Sequence, residues 1–290
     1  MQEKTVIARS LNTLRKTLES DRFKGRSIGF VPTMGALHDG HLSLVDLAQA
    51  DTEISVVSIF VNPTQFAPGE DLDAYPRTEA ADIARLEGAG VDVIYIPKHD
   101  DMYPSGSLTD VSVAGMSDLL DGVHRPHFFY GVATVVARLF IHVRPDVAVF
   151  GEKDYQQLQI IRRMVRDLGF QIDIIGGPTV RDPDGLAQSS RNAYLTIDER
   201  KLANTISTAL HRVAKRLEVG ANVSDALTEA KDSIRKAGFE KIDYVSAVDS
   251  ATLQDLGDGP IDQGYEGRLL AAAWMGKTRL IDNIGFVRKR

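Results

Sequence analysis

The chain has 290 residues, of which 43% are hydrophobic and 26% are charged, and its net charge at pH 7 is -6. These values are typical of a globular protein with one large domain or two ordinary ones, and they argue against a nucleic-acid scaffold. The absence of cysteine excludes disulfides, thiolate zinc sites and cysteine nucleophiles. No signal-peptide core precedes Arg9 and no apolar run approaches ~18 residues, so we expect a cytoplasmic enzyme without a membrane or nucleic-acid partner.

The first part of the chain predicts strands that alternate with helices, in an α/β fold built on a doubly wound parallel sheet. The strand candidates are nearly continuous in Val, Ile and Phe, as strands buried on both faces are. Ligands bind such sheets outside the carboxyl ends of the strands. The predicted strands are Ser27–Val31, Ser55–Val61, Asp92–Ile96, Asp146–Phe150 and Ile172–Ile175, and the predicted helices are Val6–Glu19, Leu42–Ala50, Thr78–Ala89, Val132–Val143 and Tyr155–Leu168.

The pattern changes near residue 186, after the turn-rich run Arg181–Gly185. Helices followed by strands predict a smaller α+β domain there. We therefore expect one domain over residues 1–185 and a second over residues 186–290. The predicted elements of the second domain are a long helix from Asp198 toward Leu217, a helix over Ser224–Ala237, and strands over Ile242–Val248, Arg268–Trp274 and Arg279–Ile281.

A pair of histidines follows the first predicted strand of the sheet. His38 and His41 stand three residues apart, between glycines and just before an apolar helical pattern. A strand, a glycine-containing turn and a helix N-terminus form an anion site, because free backbone N–H groups point outward there. Imidazoles add side-chain donors for phosphate oxygens, which indicates nucleotide chemistry. The motif is short, however, and histidines that only cap or pack the helix would read the same.

Three further segments follow predicted strands or the domain boundary, and two of them have a structural alternative. Lys153 can meet phosphate oxygens at a helix start, unless Glu152–Asp154 is only a charged cap. Ser189 and Arg191 suit a loop over a triphosphate, unless their run is an exposed linker. Gln65 offers an uncharged acceptor and two donors, which suit a hydroxylated carboxylic acid.

Metal ligands are not identified by the sequence. Asp71 and Asp73 could bind a metal, but a solvated loop is the preferred account of this acidic run. No acidic cluster has EF-hand spacing, so we expect magnesium to arrive with a nucleotide.

Six runs of the chain together carry a resemblance that no single run would support. They occur in the order in which a known family has them and span almost the whole chain. They resemble the pantothenate synthetases, which are pantoate–β-alanine ligases. The resemblance implies a Rossmann-like nucleotidyltransferase domain, a homodimer, and the use of ATP and Mg²⁺. From the two-domain layout we expect the smaller C-terminal domain to act as a lid over the site. The matching runs are Pro32–His41, Val61–Phe66, Tyr75–Arg77, Phe150–Gln157, Asp184–Leu195 and Arg279–Ile284.

The same resemblance implies a reaction in two steps. ATP and pantoate give an enzyme-bound pantoyl adenylate and pyrophosphate, and the amine of β-alanine then attacks the acyl carbon to give pantothenate and AMP. His41 has the acid role in this family. We expect His38, His41 and Lys153 to act as the catalytic groups at the nonbridging phosphate oxygens, and Ser189 and Arg191 to hold the departing pyrophosphate.

Binding residues follow from the resemblance position by position. Gln65 is expected to contact pantoate and β-alanine, and Gln157 is expected to contact pantoate. The nucleotide-binding residues so implied are Met34, Gly35, Ala36, Leu37, His38, Asp39, Gly40, His41, Gly151, Glu152, Lys153, Asp154, Val180, Gln188, Ser189, Ser190 and Arg191.

One run departs from the family pattern, and two other functions share part of it. The family usually has a histidine where this chain has Phe128, and His127 comes one place early, so no role is carried over. A nucleotidylyltransferase that adenylates a phosphorylated acceptor would share the turn around His38 and His41. A non-catalytic nucleotide-binding regulator would share the phosphate loops. The neutral side chains of Gln65 and Gln157 favour a hydroxy acid as the acceptor.

Overall fold

The computed structural model describes residues 4–67, 70 and 72–289. The chain divides into two compact units. The first comprises the described residues up to Asp118, together with Arg125–Glu152 and Ile160–Pro178. The second comprises Leu119–His124, Lys153–Gln159 and the described residues from Thr179 onward. None of the helices described here is both long and apolar enough to cross a membrane.

The first unit is built on a parallel sheet of six strands, in the order β1-β4-β3-β2-β5-β6. Every residue of β3 is buried, and β2 has only one residue that is not. Such continuous burial explains why these strands read as unbroken apolar runs. The predicted fold class is confirmed. The strands are β1 (Val6–Ala8), β2 (Ile28–Thr33), β3 (Ile54–Ile59), β4 (Val93–Tyr95), β5 (Val147–Gly151) and β6 (Asp173–Gly177).

The helices of the first part follow the predicted pattern, with one correction at the start of the chain. The sequence predicts a helix from Val6, but Val6–Ala8 is β1, which pairs in parallel with β4. The helix begins only at Leu11, because the Ser10 hydroxyl accepts a hydrogen bond from the Thr13 N–H and caps it. The helices are α1 (Leu11–Phe23), α2 (Asp39–Asp51), α3 (Glu79–Gly88), α4 (His99–Met102), α5 (Asp121–His124), α6 (Phe128–Val143) and α7 (Tyr155–Leu168).

The second unit packs helices on an antiparallel sheet of three strands, in the order β7-β8-β9. The single long helix expected from Asp198 is wrong, because the chain breaks between two helices at Ala203 and Asn204. Asn204 donates its side-chain amide to the Asp184 carbonyl there, and asparagine is a favoured residue at helix starts. The elements are α8 (Ile197–Leu202), α9 (Thr205–Glu218), α10 (Val223–Lys236), β7 (Lys241–Asp249), β8 (Glu266–Met275) and β9 (Thr278–Val287).

Candidate active site

Strands β2 and β5 are neighbours at the point where the chain reverses its direction across the sheet. From β2 the chain moves to β3 and β4 on one side, and it returns to β5 on the other. Ligands bind open α/β sheets at this switch point, outside the carboxyl ends of the strands. Met34–His41 follow β2 directly, and Gly151 ends β5. The first unit therefore brings these two predicted segments to the same edge of its sheet.

The loop after β2 is held by a carboxylate that the sequence analysis did not identify. Asp82 of α3 is 2% exposed and accepts hydrogen bonds from the main-chain N–H groups of Ala36 (3.0 Å) and Leu37 (2.8 Å). Gly35 has a φ of +83°, and a Cβ there would lie 3.0 Å from the Asp82 Oδ2 atom, so glycine is required. The expectation that free backbone N–H groups make this turn an anion site is thus wrong for Ala36 and Leu37.

The two histidines flank the start of α2, and their rings are in contact. The ring centroids of His38 and His41 are 4.1 Å apart, with a tilt of 47° between the planes. The main-chain N–H of His38 donates to the Nδ1 atom of His41 over 3.2 Å. Because Nδ1 accepts this bond, a neutral His41 carries its proton on Nε2. Asp39 and Gly40 lie in the first turn of the helix.

The side chain of Gln65 is oriented by residues of three different segments. Its Oε1 atom accepts from the Asn62 amide (3.2 Å), and its Nε2 atom donates to the Met34 sulfur (2.8 Å). The Asn62 amide also donates to the Gly131 carbonyl of α6. Asn62 in turn accepts a hydrogen bond from the Tyr103 hydroxyl over 2.8 Å. Gln65 is therefore a buried side chain in a fixed rotamer, which suits recognition of a polar substrate.

In the second unit, Lys153 lies in a short 3-10 turn, Glu152–Asp154, between β5 and α7. Its main-chain carbonyl accepts a hydrogen bond from the Asn283 side chain over 2.8 Å. Its ammonium nitrogen lies 3.7 Å from an Asp154 carboxylate oxygen. The helix begins only at Tyr155, so Lys153 stands at its entrance as the sequence predicts.

The adjacent glutamines Gln156 and Gln157 differ in their environment. Gln156 is buried, accepts from the Asp121 N–H and donates to the Leu119 carbonyl. It therefore holds the segment that leads into α5. Gln157, the residue predicted to contact pantoate, is only half-buried.

The segment from Val180 to Arg191 forms a short hairpin followed by a 3-10 turn. The Gln188 N–H donates to the Val180 carbonyl, and its side chain donates to Asp182. The Ser189 hydroxyl accepts from the Arg191 N–H and so caps the turn Ser190–Tyr194. These contacts give Val180, Gln188, Ser189, Ser190 and Arg191 a common local framework within the second unit.

The base of that hairpin is fixed by a salt bridge to β9. The Arg181 guanidinium donates to both carboxylate oxygens of Asp282, over 2.7 and 2.8 Å, and also to the Gly185 carbonyl. Asp282 is 5% exposed, so the pair is largely desolvated. Geometry of this bidentate kind is specific as well as strong.

Another buried ion cluster surrounds Arg279 on the same strand. Its guanidinium donates to Asp121 (2.6 Å) and to Asp243 (2.7 Å). Burial alone would lower the pKa of Arg279, but the two carboxylates outweigh burial and raise it. Burial and the Asp121 charge raise the pKa of Tyr244, whose hydroxyl donates to Asp121. This cluster ties α5 to the small sheet through charge and hydrogen bonds.

The acidic run considered for a metal is described only in part. Asp71 lies outside the described residues, and Asp73 is exposed. Over residues 4–67, 70 and 72–289, no three His, Asp or Glu side chains are grouped so that they could hold a metal ion.

His127 has a φ of +73° at the start of α6, and the Arg125 guanidinium lies 3.7 Å from the Phe128 ring centroid. Phe128 thus packs under a cation.

Three side chains that support the site were missed by sequence reasoning: Asp82, Asn62 and Asn283. Asp82 gave one usable signal, because it falls four residues before the buried Leu86 and so lies in the apolar stripe of a helix. Asn283 gave none, since its partner Lys153 is 130 residues away in the chain. Asn62 lies in the run Val61–Phe66, but nothing there indicates its bond to the Gly131 carbonyl.

Comparisons with known proteins cover nearly the whole chain. The sequence model of the pantoate-beta-alanine ligase family matches residues 6–285. The pantothenate synthetase of Hyphomonas neptunium is 62% identical over 283 residues, which are 97% of each chain. That of Caulobacter vibrioides is 51% identical over 96% of this chain and 98% of its own.

Two solved structures extend the comparison to the fold. Pantothenate synthetase from Thermus thermophilus matches with a TM-score of 0.90 at 45% identity, over 97% of this chain and 99% of its own. A pantoate-beta-alanine ligase from Francisella tularensis, complexed with beta-gamma ATP and beta-alanine, matches with a TM-score of 0.81 at 36% identity and covers 97% of each chain. From its matched sequence and fold, the chain belongs to the pantoate–β-alanine ligase family and is a ligase that forms pantothenate.

Proposed function

We propose that the chain condenses pantoate with β-alanine through a pantoyl adenylate, with His41 and Lys153 as its main catalytic groups. In the first step a pantoate carboxylate oxygen bonds to the α-phosphorus of ATP, and the bond to the β-phosphate breaks. Pyrophosphate leaves with that electron pair. In the second step the β-alanine nitrogen bonds to the acyl carbon, AMP leaves, and the amine proton passes to solvent or to His41.

The observation that carries this proposal is the fixed imidazole of His41 at the switch point of the sheet. The bond from the His38 N–H to Nδ1 makes Nε2 the proton-bearing atom. Attack of a carboxylate on a phosphate brings two anions together, so positioned donors are the main contribution a protein can make. We assign His38, His41 and Lys153 to the nonbridging oxygens, and Ser189 and Arg191 to the pyrophosphate.

Substrate binding is assigned along the same lines. ATP binds to Met34–His41, Gly151–Asp154, Val180 and Gln188–Arg191. Gln65 contacts pantoate and β-alanine, and Gln157 contacts pantoate. The rigid network around Gln65 supports this assignment, because a preoriented amide loses little entropy on binding a substrate. The Francisella complex with an ATP compound and β-alanine supports both ligands.

Magnesium, in this proposal, enters with the phosphates of ATP. Among the described residues no three His, Asp or Glu side chains are grouped as a dedicated site, and Mg²⁺ commonly binds through nucleotide phosphates and water. No step above depends on a metal ligand from the chain.

We also propose a cytoplasmic homodimer. Light scattering after gel filtration would detect the dimer as a mass twice that of one chain.

The role of residues 186–290 as a lid stays a prediction. Closure would keep the adenylate from water. Small-angle scattering and protease sensitivity, measured with and without ATP and pantoate, would both change if the lid closes.

Pantoate-dependent ATP–pyrophosphate exchange tests the proposed chemistry. We expect exchange with pantoate alone and no requirement for β-alanine. Exchange only with a phosphorylated acceptor would indicate a nucleotidylyltransferase, and no exchange with any acceptor would indicate a regulator. Pantothenate formation without pantoate-dependent exchange would contradict the adenylate intermediate.

A further inference from the structure

The motif Arg279–Ile284 contains two consecutive polar residues that are both buried. Asp282 is 5% exposed and Asn283 is 3% exposed, and both lie in β9. Consecutive residues of a strand point to opposite faces, so a strand with one wet face would expose one of the two. Each of these side chains therefore needs an internal partner. The proposed chemistry has so far given neither residue a role.

The side-chain amide of Asn283 contacts two partners of opposite character. Its Nδ2 atom donates to the Lys153 carbonyl over 2.8 Å. Its Oδ1 atom accepts from the Arg268 Nε atom over 2.8 Å and from the Arg268 Nη2 atom as well. The charged donor fixes which way the amide faces, because a flipped amide would place its NH₂ group against the guanidinium.

Arg268 is itself held in place by packing. Its guanidinium lies 4.0 Å from the centroid of the Tyr155 ring, and the Tyr155 hydroxyl donates to the Ser250 carbonyl over 2.9 Å. A guanidinium stacked on an aromatic face and fixed by hydrogen bonds presents its donors in one orientation. The contacts thus run from Tyr155 through Arg268 and Asn283 to the main chain at Lys153.

We propose that Asn283 is a positioning residue for Lys153 and thereby for pantoyl adenylate formation. The inference rests on the proposed role of Lys153. The carbonyl that Asn283 holds belongs to a three-residue 3-10 turn, a conformation with poorer hydrogen-bond geometry than an α-helix. Fixing this peptide sets the direction in which the Lys153 side chain leaves the main chain. A misplacement of about 1 Å at a reacting charge can lower a rate on the order of a hundredfold.

Asn283→Asp removes the bond to Lys153 and adds a negative charge beside Arg268. The substitution keeps the shape and the acceptor for Arg268, and it replaces the donor to the Lys153 carbonyl by an oxygen. We expect the rate constant of adenylation at saturating ATP and pantoate to fall about ten- to a hundredfold. We expect KM for ATP to change less than about threefold, because a misdirected ammonium affects the transition state more than binding. Asn12→Asp, at an exposed residue of α1, is the matched control and should leave both values unchanged.

A double-mutant cycle with Lys153→Ala separates positioning from a general structural effect. If Asn283 acts through Lys153, Asn283→Asp should lower the residual rate of Lys153→Ala by less than about twofold. Full multiplication of the two effects would overturn the inference. So would a wild-type rate for Asn283→Asp beside a strongly impaired Lys153→Ala, and Lys153 would then keep its role.

The same experiment shows separately whether the proposed catalytic role of Lys153 fails. A wild-type rate for Lys153→Ala would remove Lys153 from the mechanism and Asn283 with it. Thermal melting shows whether Asn283→Asp is folded. If it is not, Asn283→Ala removes the donor without adding a charge, although it also removes the acceptor for Arg268, and the same cycle applies.

Discussion

The main-chain N–H of His38 donates to the Nδ1 atom of His41, so one histidine sets the tautomer of the next. The bond closes within a single helical turn, and it keeps the two rings 4.1 Å apart. A neutral imidazole held in this way offers Nε2 as its donor.

The adenylation activity of His41 variants should therefore depend on which of the two ring nitrogens the new side chain can replace. His41→Ala removes both nitrogens, and His41→Asn keeps an acceptor near Nδ1 but loses the donor at Nε2. We expect each to raise the activation free energy of adenylation by about 2.7–4 kcal/mol, which lowers the single-turnover rate constant a hundred- to thousandfold. His41→Gln places an amide donor near Nε2 and should retain more activity than the other two. Equal rates for the asparagine and glutamine variants would contradict this tautomer.

Asp82 should affect both stability and ATP use, because its carboxylate holds the loop that follows β2. Asp82→Asn exchanges one acceptor oxygen for a donor beside the main-chain N–H groups of Ala36 and Leu37. Losing a hydrogen bond to a buried charge costs about 1.5–3 kcal/mol. We expect the free energy of unfolding measured in urea to fall by this amount and KM for ATP to rise. Asp46→Asn, at an exposed residue of α2, should change stability by less than about 0.5 kcal/mol.

Gly131 should tolerate no side chain, because α6 approaches the loop of Gln65 closely. A Cβ at residue 131 would lie 2.5 Å from the Thr64 carbonyl oxygen and 2.8 Å from the Gln65 nitrogen. Gly131→Ala must therefore separate the helix from the loop, and we expect a higher KM for pantoate and a lower melting temperature.

A second helical glycine provides the control for that experiment. Gly88 lies in α3, and a Cβ at this residue would have no described atom from outside its own helix within 4 Å, so Gly88→Ala meets no clash. The substitution should raise stability by up to about 1 kcal/mol, as alanine does in helices, with KM for pantoate unchanged. A similar KM for the two alanine variants would show that the close approach is irrelevant to the substrate.

His142 should make the chain less stable in mild acid. It is 8% exposed, and the Tyr95 hydroxyl lies 3.0 Å from its Nδ1 atom. Burial, assisted by the Arg15 charge, lowers the pKa of His142 from 6.5 to about 4. Below pH 6.5 the unfolded chain binds a proton at this residue that the folded chain does not bind until about pH 4. Stability therefore falls as the pH decreases through this window.

Urea unfolding at pH 7.5 and pH 5.0 measures that effect. The contribution of His142 to the difference in unfolding free energy is about 2 kcal/mol. Glutamine cannot titrate, so the loss of stability from pH 7.5 to pH 5.0 should be smaller in His142→Gln, by about the same 2 kcal/mol. An identical fall in the variant and the unsubstituted chain would contradict the assignment.

Much of the fold was predictable because burial leaves a direct pattern in the sequence. The continuous apolar runs of β2 and β3 reflect strands buried on both faces. The helix predicted over Val6–Ala8 is wrong because three apolar residues fit a helix as well as a strand, and only pairing with β4 decides between them. The break at Asn204 likewise depends on a contact with Asp184 that no local pattern reports.

The reactive groups of the candidate site stay predictions from the sequence, and the side chains that support their loops left little local pattern. His38 and His41 follow β2, and the order of the six strands places the end of β2 at the switch point of the sheet. The expectation of open N–H groups at Ala36 and Leu37 is wrong because a carboxylate 45 residues away along the chain from Leu37 uses them. Such supports come from long-range packing, which sequence spacing alone does not encode.

The division of a cysteine-free chain into two compact units has a practical consequence. One cysteine introduced at exposed Phe23 of α1 and another at exposed Val219, just beyond α9, would be its sole thiols. A donor and an acceptor dye can then be attached without background labelling. Energy transfer between the dyes then tests the lid prediction directly: a change on addition of ATP and pantoate would support closure, and an unchanged signal would contradict it.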